Sequence, residues 1–109
     1  MPAPELESYA FVLLRRPEGA PDLDDDEADA LQERHLAYLR TMKERGKLAV
    51  AGPFSDQPDE AWRGLCLYTT SVAEARALAE QDPAVLRGRL AVDVMTWSTE
   101  KGAVTFHRP

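Results

Sequence analysis

The sequence predicts an α+β domain in which two helices cover one face of a four-stranded antiparallel sheet. Four short segments are rich in apolar residues, and two longer segments repeat apolar residues at three- and four-residue steps. Their order along the chain is strand, helix, strand, strand, helix, strand, which is the ferredoxin-like β-α-β-β-α-β pattern. The 109 residues fit a single domain, 1–109, with a core at about 8–97 and a C-terminal tail at 98–109.

The first half of the chain supplies a strand, a helix and a second strand. The segment "SYAFVLLRR", 8–16, is apolar on both sides of its alternation, which predicts a strand covered on both faces. Apolar residues at helical spacing predict a helix over about 26–45, with aspartates at its N-terminus and Gly46 as its C-terminal cap. The segment "KLAVAGPF", 47–54, predicts a second strand that ends at its Gly-Pro pair.

The second half repeats the order strand, helix, strand. "RGLCLYTT", 63–70, predicts a strand that forms a hairpin with the previous one. Ser71 and the glutamate three residues later form a capping box, which predicts a helix in "SVAEARALAEQ". Asp82 followed by proline has the residue types of an N-cap and a first helical position, so it predicts another short turn. "RLAVDVMTW", 89–97, predicts the fourth strand.

The apolar character of both strand faces predicts self-association. Two helices can cover only one face of a four-stranded sheet. None of the first three predicted strands has a polar face, so the other face would be a large exposed apolar patch. Such patches usually mark an interface, and we therefore expect a homodimer packed sheet to sheet.

Composition and charge exclude several classes of function. The chain has 13 basic and 19 acidic residues and a net charge of −6, whereas nucleic-acid binders usually carry a basic surface. No apolar run approaches the roughly 20 residues that span a bilayer, and the N-terminus lacks the pattern of a secretory signal. Cys66 is the single cysteine and cannot form an internal disulfide. We expect a cytoplasmic protein that binds neither nucleic acid nor membrane.

His35 interrupts the apolar stripe of the first predicted helix. It shares that stripe with Leu31, Tyr38, Leu39 and Met42. One interpretation is a half-buried core histidine whose nitrogens bond a backbone carbonyl or water. The other is a general base, because histidine takes and returns protons near neutral pH.

Asp82 is the candidate partner of that base. A carboxylate can hold one imidazole nitrogen and stabilise the imidazolium that forms during proton transfer. The competing interpretation is local, since an aspartate before proline is a common N-cap. Both interpretations can hold at once.

Four further residues are candidates for substrate binding. Gly52 and Pro53 permit a bend at a strand end, where backbone groups can face a pocket. Ser55 can donate a hydrogen bond to a ligand, but it lacks the motif of a nucleophile. Arg15, or its neighbour Arg16, lies at the end of the first predicted strand and can pair with an anionic substrate group. The alternative for both arginines is a solvated strand end.

No metal or cofactor is expected. The acidic segment "DLDDDEADALQE" has the outline of a calcium loop, but Glu27 stands where the loop requires glycine. His35 and His107 have no cysteine or second histidine at metal-ligand spacing, which argues against zinc. We interpret the acids as helix caps.

Three stretches taken together resemble the YCII-related (YciI-like) domain family. They are "YAFVLLRRPEG", "HLAYLRTMKERGKLAVAGPF" and "SVAEARALAEQDPAVLRGRLAVDVMTW", and they cover about residues 8–97 in the family's order. The resemblance implies a ferredoxin-like subunit that dimerises into an α/β barrel. It also implies that His35 and Asp82 are a catalytic pair, because they match the family's histidine on the first helix and its aspartate at the Asp-Pro turn.

The resemblance also limits the range of functions that we expect. One family member acts as a dehydrochlorinase on a hydroxylated aromatic ring, and related dimeric barrels include muconolactone isomerases and cofactor-free monooxygenases. We therefore expect a cofactor-independent lyase or isomerase that moves a proton on a small cyclic or aromatic substrate. The alternative is a non-catalytic dimeric small-molecule-binding or regulatory module. Some relatives carry Asp-Gly-Pro-Phe at the bend and are often associated with sigma-factor regulation. This chain has Ala51 in place of the aspartate, so that particular role is disfavoured.

Overall fold

The computed structural model describes residues 4–107. Four strands and three helices follow one another in the predicted order: β1 (Leu6–Arg15), α1 (Asp25–Glu44), β2 (Leu48–Pro53), β3 (Trp62–Tyr68), α2 (Val72–Ala79), α3 (Pro83–Leu86) and β4 (Ala91–Glu100). The sheet order is β2-β3-β1-β4, and each neighbouring pair is antiparallel. This topology confirms the predicted ferredoxin-like β-α-β-β-α-β fold.

Helix α1 carries His35, and its two ends are fixed by local signals. The Asp24 side chain accepts a backbone N–H from the first turn, as an N-cap does. At the other end Gly46 has a φ of 73°, which glycine adopts without steric cost. The Gly46 N–H donates to Lys43 O and the Lys47 N–H to Met42 O, each at 3.0 Å. These two bonds form a Schellman motif, so α1 ends where the sequence predicted.

The core lies between the helices and one face of the sheet. On β1, alternate residues Ala10, Val12 and Leu14 point toward the helices and are buried. Leu31 and Met42 of α1 meet them, as expected for an apolar stripe at helical spacing. The other members of this cluster are Leu48, Cys66, Tyr68, Ala75, Ala79, Ala84 and Leu90.

The opposite face of the sheet is also apolar and has no helix over it. Phe11 and Leu13 of β1 lie on it and are half-buried. Val50, Met95 and Trp97 extend the face on the neighbouring strands and are exposed. The strands therefore have the two apolar faces that their sequences indicate, and the helices cover only one of them.

Strand β4 runs three residues past its predicted end, so the tail expected from residue 98 begins later. Ser98 pairs with Ser8, and Glu100 pairs with Leu6 at the start of β1. The two serine hydroxyls are 2.8 Å apart and hydrogen-bonded. The extension was missed because this end of an edge strand is largely exposed on both faces and lacks an apolar pattern.

No helix in the described part of the chain is long and apolar enough to cross a membrane.

Candidate active site

A cavity of about 480 Å³ lies between α1 and the sheet, a size typical of small-molecule sites. Its apolar wall includes Leu36 and Leu39 of α1 and Ala51 of β2. Among the predicted site residues, His35, Gly52 and Pro53 line this cavity. The fold thus brings the histidine of α1 and the Gly-Pro end of β2 to one space, although they lie in separate elements.

His35 and Asp82 are in direct contact beside the cavity. His35 Nδ1 and Asp82 Oδ2 are 2.6 Å apart, and the two residues are 7% and 2% exposed. A carboxylate can only accept hydrogen bonds, so Nδ1 carries a proton and donates a hydrogen bond to Asp82. Burial of both groups excludes competing water and strengthens this hydrogen bond.

Asp82 uses its two oxygens for two different purposes. Oδ1 accepts the backbone N–H of Ala84 at 2.9 Å, which caps α3, while Oδ2 accepts from His35. Pro83 at the start of α3 has no N–H to satisfy, as is usual at a first helical position. The cap fixes the carboxylate in place, and the carboxylate in turn fixes the orientation of the His35 ring.

The second ring nitrogen of His35, Nε2, is the one left for chemistry. Within residues 4–107 no hydrogen bond from a protein group engages Nε2. Every fully buried side-chain nitrogen or oxygen in this part of the chain has a hydrogen-bond partner. Nε2 has none, so this atom is accessible. Because His35 lines the cavity, an acceptor lone pair is available to a bound ligand there.

The titratable groups around Asp82 are poorly hydrated, and its negative charge shifts their pKa values. Burial raises the pKa of the Cys66 thiol to about 12, and the Asp82 carboxylate adds to that shift. Burial also raises the pKa of the Tyr38 and Tyr68 hydroxyls, with Asp82 again contributing. The Tyr38 hydroxyl donates to Leu78 O at 2.6 Å, so it packs α1 against α2. A low-dielectric setting of this kind favours strong coupling between a base and its carboxylate.

Two predicted substrate-binding residues lie away from the cavity. Arg15 belongs to the set of β1 residues on the open sheet face, and its Nε donates to Asp93 Oδ2 at 2.7 Å. The alternation of a strand sends successive side chains to opposite faces, so Arg15 cannot share the His35 side of the sheet. Ser55 is exposed and is not among the cavity-lining residues.

Other residues on the cavity wall were not recognised in the sequence. Arg63, Arg89 and Gly64 line it, as does Arg16, which the sequence offers only as an alternative to Arg15. A Cβ on Gly64 would lie 2.6 Å from the carbonyl oxygen of Gly52, so only glycine fits at this position of the β2–β3 pair. A glycine inside a strand is a recognised sign of close backbone approach, and this signal could have identified Gly64.

Residues 4–107 contain no group of three or more histidine, cysteine, aspartate or glutamate side chains arranged to hold a metal ion. Of the acids in the calcium-like segment, Asp24 caps α1.

Comparison with family models gives a match over residues 9–98 to the YCII-related domain. The chain belongs to the YCII-related domain family. The match begins within β1 and ends within β4, so it includes every residue that lines the His35 cavity. Comparison with curated proteins gives no match.

A solved structure shares the fold. It is 5-chloro-2-hydroxyhydroquinone dehydrochlorinase (TftG) from Burkholderia phenoliruptrix AC1100, in complex with 2,5-dihydroxybenzoquinone. The TM-score is 0.53 at 23% sequence identity, and the match covers 84% of this YCII-related chain and 93% of the other. At this identity the likeness establishes the common fold.

Proposed function

We propose that this YCII-related protein is a cofactor-independent enzyme of the lyase or isomerase type that moves a proton on a small cyclic or aromatic substrate. The observation that carries the proposal is the 2.6 Å hydrogen bond between His35 and Asp82 beside a ligand-sized cavity. A histidine that served packing alone would need no buried carboxylate, whose burial is costly unless it is paired.

In this proposal each atom of the pair has a role. Neutral His35 donates a hydrogen bond from Nδ1–H to Asp82 and keeps a lone pair on Nε2, which removes a proton from a ring C–H. The imidazolium that forms is stabilised by the Asp82 carboxylate. In an isomerisation the Nε2 proton returns to a different ring atom. In an elimination the substrate expels a leaving group with its electron pair, and the proton passes to water.

The fold relative supports the class of substrate. Its name describes a dehydrochlorinase, and its ligand is a dihydroxylated six-membered ring. The cavity beside His35 is large enough for such a ring, and Leu36 and Leu39 give it an apolar wall.

Deuterium exchange tests the proton transfer whichever product the enzyme forms. Hydroxylated benzenes and quinones are incubated in D₂O with the wild-type protein or with His35→Gln, and ring-proton loss is followed by ¹H NMR. We expect exchange in the wild type and a loss of about 10²-fold or more in His35→Gln, since general acid–base catalysis contributes about 10²–10⁴-fold. Arg76→Gln, an exposed change on α2, is the control and should exchange like the wild type. Equal exchange by the wild type and His35→Gln would refute the proposal.

The second candidate is a non-catalytic small-molecule-binding or regulatory module. It is favoured by the cavity itself, because an apolar pocket can hold a ligand without any proton transfer. Saturable binding of a hydroxylated ring by wild-type protein, with neither exchange nor turnover, would support this candidate over the enzyme.

We also propose that the open sheet face is the interface of a homodimer. The face carries Val50, Met95 and Trp97 as exposed apolar side chains, and a second copy presents the same apolar surface to them. We expect a dimer by light scattering and a shift toward monomer in Met95→Glu. Leu86→Glu is the matched control, because Leu86 is also apolar and exposed but lies on α3. A wild-type monomer at high concentration would contradict the proposal.

A further inference from the structure

Three arginines line the same cavity as His35. Arg16 directly follows β1, Arg63 lies in β3, and Arg89 lies just before β4. They come from three distant parts of the chain, so no local sequence motif brings them together. Only the packing of these strand ends places three cationic side chains on one wall.

A bulge in the sheet accounts for the presence of Arg63. Leu14 pairs with Gly64 and Arg15 pairs with Trp62, so Arg63 is the extra residue with no partner on β1. In a regular ladder Arg63 would pair with Arg15 and share its face of the sheet, away from His35. A bulge re-aims one side chain, and here the re-aimed side chain lines the cavity.

Each guanidinium is anchored by a neutral group, which leaves its charge and most of its donors available. Arg16 Nε donates to the backbone oxygen of Arg89 at 3.0 Å, and Arg89 Nη1 donates to that of Pro21 at 2.8 Å. Arg63 Nη1 donates to Glu60 O at 3.2 Å. Arginine has five N–H donors, so these bonds position the side chains without using up their capacity.

No carboxylate neutralises the three arginines among residues 4–107. The ion pairs in this part of the chain engage other cations, such as Arg15 with Asp93 and Lys47 with Glu74. Asp29 is the carboxylate on the cavity wall, and it forms no ion pair with any of the three. The cavity wall is therefore cationic, although the chain as a whole has a net charge of −6.

The three charges repel one another. The pKa of Arg16 is lowered, first by burial and then by the neighbouring charges of Arg89 and Arg63. Like charges held together are unfavourable unless an anion enters between them. The planar fork of arginine matches the two oxygens of a carboxylate, which makes a carboxylate the natural occupant.

We propose that Arg16, Arg63 and Arg89 form a carboxylate-binding subsite, so that the substrate of the His35 cavity is a small cyclic acid. This inference rests on the proposed function for its account of the reacting ring, but the binding site stands without it. The ring contacts the apolar wall and His35, and the carboxylate contacts the arginines. The subsite orients the ring and so selects which ring proton reaches Nε2.

Calorimetry with a matched pair of probes tests the subsite. The probes are 2,5-dihydroxybenzoate and 1,4-dihydroxybenzene, which share the ring and hydroxyl groups and differ by one carboxylate. We expect the acid to bind about tenfold tighter or more, because its carboxylate adds charge-assisted hydrogen bonds, which are stronger than those between neutral groups. Added salt should weaken binding of the acid and leave that of the diol nearly unchanged.

Substitutions inside and outside the cavity locate the effect. Arg63→Gln removes one charge from an exposed side chain and should reduce the preference for the acid about tenfold, while Arg76→Gln, outside the cavity, should leave it unchanged. Arg63→Lys, which keeps the charge but loses the fork, should lie between them. Circular dichroism checks the fold, and Arg89→Gln provides an independent second test of the same loss.

The outcomes separate this proposal from the proton-transfer proposal. His35→Gln should retain the preference for the acid, so a protein that prefers the acid but exchanges no protons would refute the enzyme and uphold the subsite. Equal affinities for the acid and the diol, or no detectable binding of the acid, would overturn the subsite. So would wild-type preference in both Arg63→Gln and Arg89→Gln. Tighter binding of phenyl phosphate than of the acid would identify the occupant as a phosphate and overturn the assignment to a carboxylate.

Discussion

Replacing Asp82 with alanine should destabilise the protein far more than removing an ordinary helix cap. The change removes the Oδ1 bond to Ala84 N–H, 2.9 Å long, and the Oδ2 bond to His35 Nδ1, 2.6 Å long. Loss of an N-cap costs about 1 kcal/mol. Leaving the buried His35 Nδ1 without a partner costs about 1–3 kcal/mol more. We therefore expect the free energy of unfolding to fall by about 2–4 kcal/mol.

Urea unfolding followed by tryptophan fluorescence measures this loss. Protein concentration is held constant, because a dimer would make the apparent stability depend on it. Asp24→Ala is the matched control, since Asp24 caps α1 through Glu27 N–H at 2.8 Å in an exposed position. Its cost should be about 1 kcal/mol. In a double-mutant cycle with His35→Gln, the two changes should couple by about 1 kcal/mol or more.

The cycle can refute the reasoning cleanly. If Asp82→Ala costs no more than Asp24→Ala, and if its coupling to His35 is near zero, then Asp82 is only a helix cap. The contact would then contribute nothing to stability, and the proposed role of Asp82 in orienting the base would lose its physical basis.

Three further predictions concern the His35 ring, Gly64 and Cys66. ¹⁵N NMR of neutral His35 should show the proton on Nδ1, and Asp82→Asn should weaken that preference, because an amide can also donate to the ring. Gly64→Ala should lower the free energy of unfolding by about 1–3 kcal/mol, because its Cβ would lie 2.6 Å from a backbone atom. Gly52→Ala is the control and should be nearly neutral, since a Cβ there meets open space. Urea unfolding measures both changes. Between pH 9 and about 12 the unfolded chain loses the Cys66 proton that the folded protein retains. The Cys66 thiol should therefore contribute a fall in stability of about 1.4 kcal/mol per pH unit in this window, and Cys66→Ala should remove that contribution.

The sequence could predict elements and caps because those signals are local. The stripe that contains His35 repeats at helical spacing, and Asp24, Ser71 and Asp82 each bond backbone two or three residues ahead. Gly46 ends α1 through its own positive φ. Such features depend on neighbouring residues alone, so a single sequence contains the information needed to recognise them.

Contacts between distant residues were predicted less well. His35 and Asp82 are 47 residues apart, and their pairing followed from the chemistry of a base and its partner together with the family resemblance. Arg15 ends β1 and Arg16 directly follows it, so the sequence offers little to choose between them. The register of β1 determines which of the two arginines lines the cavity, because it places Arg15 on the open face and leaves Arg16 on the cavity wall.

By itself, the sequence determined the fold class, the position of each element to within a few residues, and the two side chains that form the buried pair. The tertiary structure alone decided that these side chains meet, that Nε2 of His35 remains accessible, and that three arginines converge beside it. The physical reason is that periodicity and caps fix local conformation, whereas the cavity depends on strand register and on one bulge at Arg63. A bulge shifts every later side chain by one position, and no local pattern in this chain indicates where it lies.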